Sequence, residues 1–89
     1  MITIYKYPFE IEDEICIVAP AGAEPLHVAI QHDIPCLWMR MDTDKPMVQH
    51  TFRLAGTGHD LGASPEATEY VGSFFACDGV LVFHLFKAN

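Results

Sequence analysis

The stretch that decides the fold runs from Leu26 to Leu54 and reads LHVAIQHDIPCLWMRMDTDKPMVQHTFRL. It contains runs of strand-forming residues at 26–31, 36–41 and 48–54, separated by HDIP and DTDKP, which are typical of turns. Within each run apolar and polar side chains tend to alternate, as they do when neighbouring side chains of a strand point to opposite faces. The stretch therefore predicts an antiparallel meander with one apolar face.

The alternation divides the side chains of these strands between a core face and a polar face. In the predicted register Cys36 lies opposite Arg53 and Trp38 lies opposite Thr51, which places the only tryptophan between Arg40 and Arg53. A slip of one residue would mix the two faces, so their clean separation supports this register. The predicted core face carries Leu26, Val28, Ile30, Leu37, Met39, Met41, Val48, His50, Phe52 and Leu54.

Similar strand patterns flank the central stretch. Thr3–Tyr7 and Ile15–Ala19 precede it, and Tyr70–Cys77 with Val80–Phe86 forms a hairpin after it. The hairpin turns at Asp78-Gly79, a dipeptide that suits a type I′ turn with positive φ at both central residues. We therefore expect one all-β domain over residues 1–89, a meander that closes into a small barrel or sandwich.

Two segments after the central stretch depart from this simple picture. The only candidate for helix is a single turn at Ser64–Ala67, with serine as the N-cap and proline at the first helical position. The last hairpin is apolar on both faces, with Ser73, Val71 and Phe75 on one face and Phe74 on the other. A strand pair of this kind is covered on both sides, and we expect one cover to be a second subunit, so that the protein is a homo-oligomer.

Composition limits the possible partners and compartments. The chain of 89 residues has a formal net charge of −7, from twelve acidic residues and five Lys or Arg. This balance disfavours binding to nucleic acid or to an anionic membrane. Three cysteines without CxxC spacing, and no apolar run of about 20 residues, predict a soluble protein of a reducing cytosol without disulfides or a zinc ribbon.

The candidate site on the polar face is a tryptophan surrounded by cationic and amide side chains. An aromatic ring stacks on planar groups, and guanidinium groups hold phosphate or carboxylate with two hydrogen bonds. This chemistry fits a small anionic ligand with a planar ring, or an acidic patch on a partner protein. The alternative is Arg–Trp packing on a solvated sheet face. The site residues are His27, Trp38, Arg40, Gln49, Thr51 and Arg53.

A second candidate is the loop Gly56-Thr57-Gly58-His59. Its backbone N–H groups could hold an anion beside His59, or its glycines could simply provide positive φ for a turn. A small hydrolase or nucleotide-modifying enzyme using His59 and Asp60 is the alternative function. Ser73 and His84 are predicted cross-strand neighbours, interpreted as a buried hydrogen-bonded pair. Five histidines without HxH or HExxH spacing give no metal site, and no cofactor is predicted.

Several pieces taken together, among them IYKYPFEIEDE, PAGAEPLHVAIQ, PCLWMRMD, HTFRLAGTGHDL, YVGSF and LVFHLF, resemble a family of short uncharacterised proteins of tailed bacteriophages and prophages. The resemblance covers nearly the whole chain. It implies a non-enzymatic phage accessory protein in the host bacterial cytoplasm that binds a host-defence component, either a nucleotide-like signal or a defence protein. A minor structural or assembly protein of the virion is a further alternative.

Overall fold

Seven antiparallel strands make up the computed structural model, which describes residues 1–61 and 69–88. They are β1 (Ile2–Pro8), β2 (Glu14–Pro20), β3 (Glu24–Gln31), β4 (Ile34–Asp42), β5 (Met47–Gly56), β6 (Glu69–Ala76) and β7 (Leu81–Lys87). The predicted all-β class is confirmed. The helical turn predicted at Ser64–Ala67 lies outside the described residues.

The strands form two sheets instead of one meander. The first sheet has three strands in the order β1-β4-β3, and the second has four in the order β2-β5-β7-β6. The two layers pack as a sandwich and do not close into a barrel. Within the described part of the chain, no helix is long and apolar enough to cross a membrane.

The predicted pairing of residues 36–41 with residues 48–54 is therefore wrong. Trp38 of β4 lies between Lys6 of β1 and His27 of β3, whereas β5 pairs with β2 and β7. The connection at residues 43–46 carries the chain from one sheet to the other. Alternation with a period of two reports which face a side chain occupies, but it does not report which strand is the neighbour.

The inward faces of both sheets form one core. Phe52, Leu37, Met39 and Leu85 are all less than 2 % exposed. Six of the ten residues assigned to the core face are buried, namely Val28, Leu37, Met39, Met41, Phe52 and Leu54, while Ile30 and His50 are half-buried.

Two residues assigned to the core face are exposed instead. Leu26 is 46 % exposed because a β-bulge between Pro25 and His27 inserts it as an extra residue in β3. Val48, which is 40 % exposed, lies near the start of β5, where the core ends. Both errors arise from local structure at strand ends or bulges. Cys36, which the predicted register placed opposite Arg53 on the polar face, is buried at 2 % exposure near the start of β4.

The β6–β7 hairpin has the predicted register over most of its length. Ser73 lies opposite His84, and Asp78 and Gly79 have φ values of 55° and 85°. A bulge between Tyr70 and Gly72 shifts the register, and Val71 packs against the core. Val71 was predicted on the face of Ser73, and the bulge corrects that assignment.

The inner face of this hairpin is covered by the chain's own first sheet. Phe74 and Leu85 are only 4 % and 1 % exposed. At Gly72 the two sheets come so close that an added Cβ would lie 2.9 Å from Cγ1 of Val28 in β3. The chain itself therefore buries Phe74 and Leu85, whereas Leu81 on the same face is 45 % exposed. The expected homo-oligomer stays a prediction.

Candidate functional site

The outward side of the first sheet carries the first part of the predicted site. Trp38 stands in the central strand β4, half-buried, and its ring lies 5.7 Å from the ring of His27, centroid to centroid. Lys6 faces Trp38 from the other side, and Arg40 is two residues further along β4. We call these four residues the Trp38 face.

The cations of the Trp38 face are partly engaged with neighbours on the same sheet. Arg40 donates to Oε1 of Glu24 at 2.7 Å, and the pKa of Arg40 is raised by this hydrogen bond and by the charge of the carboxylate. Lys6 Nζ donates to Oε1 of Gln31 at 2.7 Å. Both pairs are exposed, so each contributes little to stability. Arg40 and Lys6 can therefore give up these hydrogen bonds and bind groups of a partner instead.

Exposed apolar side chains extend the Trp38 face along β1. Ile2 and Ile4 are 67 % and 53 % exposed, and Ile4 lies opposite Arg40. Apolar side chains around a central tryptophan, with cationic groups between them, make a composition typical of protein–protein contacts.

The second part of the predicted site lies on the other sheet. Gln49, Thr51 and Arg53 point outward from β5, opposite Val18, Cys16 and Glu14 of β2. Gln49 Nε2 lies 3.4 Å from Cys16 Sγ. The predicted clamp of two guanidinium groups around one tryptophan is therefore not assembled, because Trp38 and Arg53 occupy different sheets and face away from each other.

Arg53 has its own environment between Glu14 and Phe86. Its Nε is buried and has no hydrogen-bond partner among the described residues. Because this nitrogen is covered, it does not offer an open binding position, and the sequence contains no signal that would have revealed it.

The loop after β5 is held by His59. Gly58 has a φ of 86°, which confirms the predicted left-handed glycine, whereas Gly56 is buried and its N–H donates to Nδ1 of His59 at 3.3 Å. Because Nδ1 accepts this bond, the proton of the neutral ring is on Nε2. Neither nitrogen of the neutral ring is then open to act as a base in this arrangement.

A chain of hydrogen bonds crosses the outer side of the second sheet next to this loop. Tyr70 OH lies 2.6 Å from Ser73 Oγ, which lies 2.7 Å from Nδ1 of His84, and Nε2 of His84 lies 2.8 Å from Oγ1 of Thr57. We call these four residues the hydroxyl–histidine chain. The predicted Ser73–His84 pair is confirmed and is only half-buried.

Sequence reasoning missed the two ends of the hydroxyl–histidine chain. Tyr70 and Ser73 are an odd number of residues apart, which places them on opposite faces of a regular strand. The bulge between Tyr70 and Gly72 adds one residue and brings them to the same face. The glycine inside a strand pattern was the signal that could have indicated a bulge.

The hydrogen bonds of the hydroxyl–histidine chain hold its own side chains in position. Oγ1 of Thr57 also lies 3.4 Å from the carbonyl oxygen of Val82, so each polar group of the chain has a hydrogen-bond partner. A hydrolytic triad needs a carboxylate that stabilises the imidazolium. Here both nitrogens of His84 meet hydroxyl groups instead. The chain therefore links β6, β7 and the loop after β5.

Other chemistry-bearing side chains are dispersed. In residues 1–61 and 69–88 no group of three or more His, Cys, Asp or Glu side chains could hold a metal ion. All three cysteines are free, with Cys16 and Cys77 exposed and Cys36 buried.

Comparison with known proteins places the chain in a family without assigning an activity to it. No curated protein and no solved structure matches the chain. One family model, described as a domain of unknown function (DUF7352), matches residues 1–89. The chain, which folds as a two-sheet sandwich with the Trp38 face on one side, belongs to this DUF7352 family.

Proposed function

We propose that the protein is a non-enzymatic binding protein whose Trp38 face docks on a partner protein. The observation that carries this proposal is the position of Trp38 at the centre of an outward sheet face, with His27 and Lys6 beside it. Large aromatic and arginine side chains at the centre of a contact supply most of the binding energy in protein complexes.

The arrangement favours a protein partner over the nucleotide-like ligand that the sequence also suggested. Two guanidinium groups around the tryptophan would hold a phosphate, but Arg53 lies on the other sheet. The remaining Arg40 is paired with Glu24, and exposed Ile2 and Ile4 widen the apolar surface. A broad surface of apolar and cationic side chains fits an acidic patch on a protein.

The resemblance to phage proteins adds a class of partner and a cellular location to this proposal. On that basis the partner is a host defence protein and the site of action is the host bacterial cytoplasm. A virion protein is the competing possibility, and detection of the chain in purified virions would favour it.

Affinity capture with three versions of the protein tests the proposal. Wild type and Val18→Ala, a change of an exposed apolar residue on the other sheet, should retain the same host protein. Trp38→Ala should lose it, because truncation of a central aromatic typically costs 2 kcal/mol or more, about 30-fold in affinity. If Trp38→Ala is folded and retains that protein equally well, the Trp38 face is not the contact.

Fluorescence of Trp38 separates the two kinds of ligand, since it is the only tryptophan. Quenching by nucleotides at micromolar concentration would favour the nucleotide-like signal and count against a protein contact. The second candidate function, a hydrolase using His59, is supported by the position of that ring in the loop but weakened by its bond to Gly56. Turnover of cyclic nucleotides that is lost in His59→Ala would favour it.

A further inference from the structure

One end of the sandwich is strongly acidic. Three connections lie there, at residues 9–13, 32–33 and 77–80, and the N–H of Phe9 bonds to the carbonyl of Pro35. They hold five of the chain's twelve acidic residues and neither lysine nor arginine. We call this surface the acidic end; its acidic residues are Glu10, Glu12, Asp13, Asp33 and Asp78.

A cleft opens in the acidic end between the β3–β4 turn and the β6–β7 turn. Its volume is about 430 Å³, which is within the range of sites that hold a ligand or an anchoring side chain. Asp33 and Asp78 lie at this cleft, both exposed and without an ion pair to any described residue. Its apolar lining includes Ile11, Ile30, Pro35 and Phe75.

The cleft presents apolar surface that the fold leaves uncovered. Phe75 is 68 % exposed and Ile11 is 45 % exposed. An apolar cleft bordered by unpaired carboxylates is complementary to an apolar group that stands next to a positive charge. The cleft alone would accept a small amphipathic cation, but the five acidic residues extend over three connections, beyond the cleft itself.

The two turns do not require aspartate. Asp33 and Asp78 have φ values of 65° and 55°, in the left-handed region that glycine and asparagine adopt at least as readily. In the described part of the chain, non-glycine residues with positive φ occur only in these two turns. They are His32 and Asp33 in one turn and Cys77 and Asp78 in the other. Asparagine would meet the same backbone requirement without the charge, so charge and backbone conformation can be tested separately.

We propose that the acidic end binds a basic segment of a partner protein, with an apolar side chain of that segment in the cleft. Five carboxylates spread over three connections match several basic side chains along one chain. β6 borders the cleft and, among the described strands, hydrogen-bonds to β7 alone. An edge strand of this kind accepts an extended segment by backbone hydrogen bonds. This surface is separate from the Trp38 face.

Synthetic peptides provide the test. The probe is a short peptide with one phenylalanine between lysines and arginines, and its controls replace the phenylalanine with glycine or the basic residues with glutamate. Binding is measured by NMR titration of the backbone amides of the labelled protein. The probe should shift amides around residues 33 and 75–79, and the control peptides should bind about tenfold more weakly or not at all.

Protein variants with matched charge complete the test. Asp33→Asn/Asp78→Asn should keep its melting temperature and lose affinity for the probe about tenfold or more. Asp44→Asn/Glu69→Gln removes the same charge at the opposite end and should leave the affinity unchanged. Equal loss in both variants, equal binding of the glycine peptide, or no binding of the probe at millimolar concentration would overturn the proposal.

Discussion

Close contact between the two sheets at Gly72 makes a sharp prediction about stability. An added methyl group at this position would lie 2.9 Å from Cγ1 of Val28, a buried side chain of the facing sheet. Overpacking of a core typically costs about 1–3 kcal/mol. Gly72 does not have positive φ, so alanine adopts its conformation and recovers about 0.4–1 kcal/mol through the unfolded state. We expect Gly72→Ala to lower the free energy of unfolding by about 1–2 kcal/mol.

A double-mutant cycle identifies the cause of that loss. Val28→Ala alone removes two buried carbons and should cost about 1–3 kcal/mol. In Gly72→Ala/Val28→Ala the added methyl group fills part of the space, so the pair should cost at least 1 kcal/mol less than the sum of the single changes. Urea denaturation with linear extrapolation measures all four proteins.

Gly56, a second glycine with a close neighbour, provides a matched control. At Gly56 an added Cβ would also meet an atom at 2.9 Å, but that atom belongs to the exposed side chain of His59, which can move away. Gly56→Ala should therefore cost less than Gly72→Ala. If the Gly72 and Val28 effects were additive within about 0.5 kcal/mol, the contact between the sheets would not limit the size of residue 72.

Three further predictions concern the turns and the hydrogen bonds. Gly58→Val should lower stability by about 1–2 kcal/mol while Gly58→Asn changes it little, because a β-branched residue is strained at a φ of 86°; equal melting temperatures of the two variants would contradict this. The N–H of Asp44 bonds to Asp42 and, with the N-terminal ammonium, lowers the pKa of Asp42. Because the folded pKa lies below the unfolded one, this carboxylate stabilises the fold above the unfolded pKa of about 4 and ceases to do so as pH falls through the folded pKa. Asp42→Asn should flatten the acid side of a stability–pH curve, and an unchanged curve would count against it. Ser73→Ala should cost about 1–3 kcal/mol and Tyr70→Phe less, since only the serine change leaves a half-buried ring nitrogen without its partner; thermal melts giving the reverse order would be inconsistent with the hydroxyl–histidine chain.

Local features of the fold were predictable from the sequence, and pairing between distant strands was not. Asp78-Gly79 indicated its turn and the register of the hairpin around it, because turn chemistry acts over a few residues. Phe52 and Leu54 were correctly assigned to the core, yet their neighbours are β2 and β7 instead of β4. A strand with the same alternation fits either sheet, and the choice depends on how the whole core packs.

The candidate site, like the fold, was predicted correctly within a strand and incorrectly between strands. Trp38 and Arg40 are two residues apart in one strand, and they share a face as predicted. Arg53 was assigned to the site because β5 was expected to pair with β4. β5 pairs with β2 instead, so Arg53 does not belong to the site. Tyr70 joined the hydroxyl–histidine chain through a bulge, which shifts side chains between faces without a clear pattern in the sequence.

The sheet topology has a consequence for the rate of folding. The nearest pairs are Pro8 with Cys36 and Pro20 with Met47, so β1 and β2 each need a partner at least 27 residues away along the chain. Closing such long loops costs entropy before any contact compensates for it, and β-sandwiches accordingly fold in milliseconds to seconds. The β3–β4 and β6–β7 hairpins need only their own short turns and can form within about 1–10 microseconds. During synthesis β1 and β2 therefore emerge before their partners β4 and β5, and their unpaired edges remain open to other chains until those partners have been made.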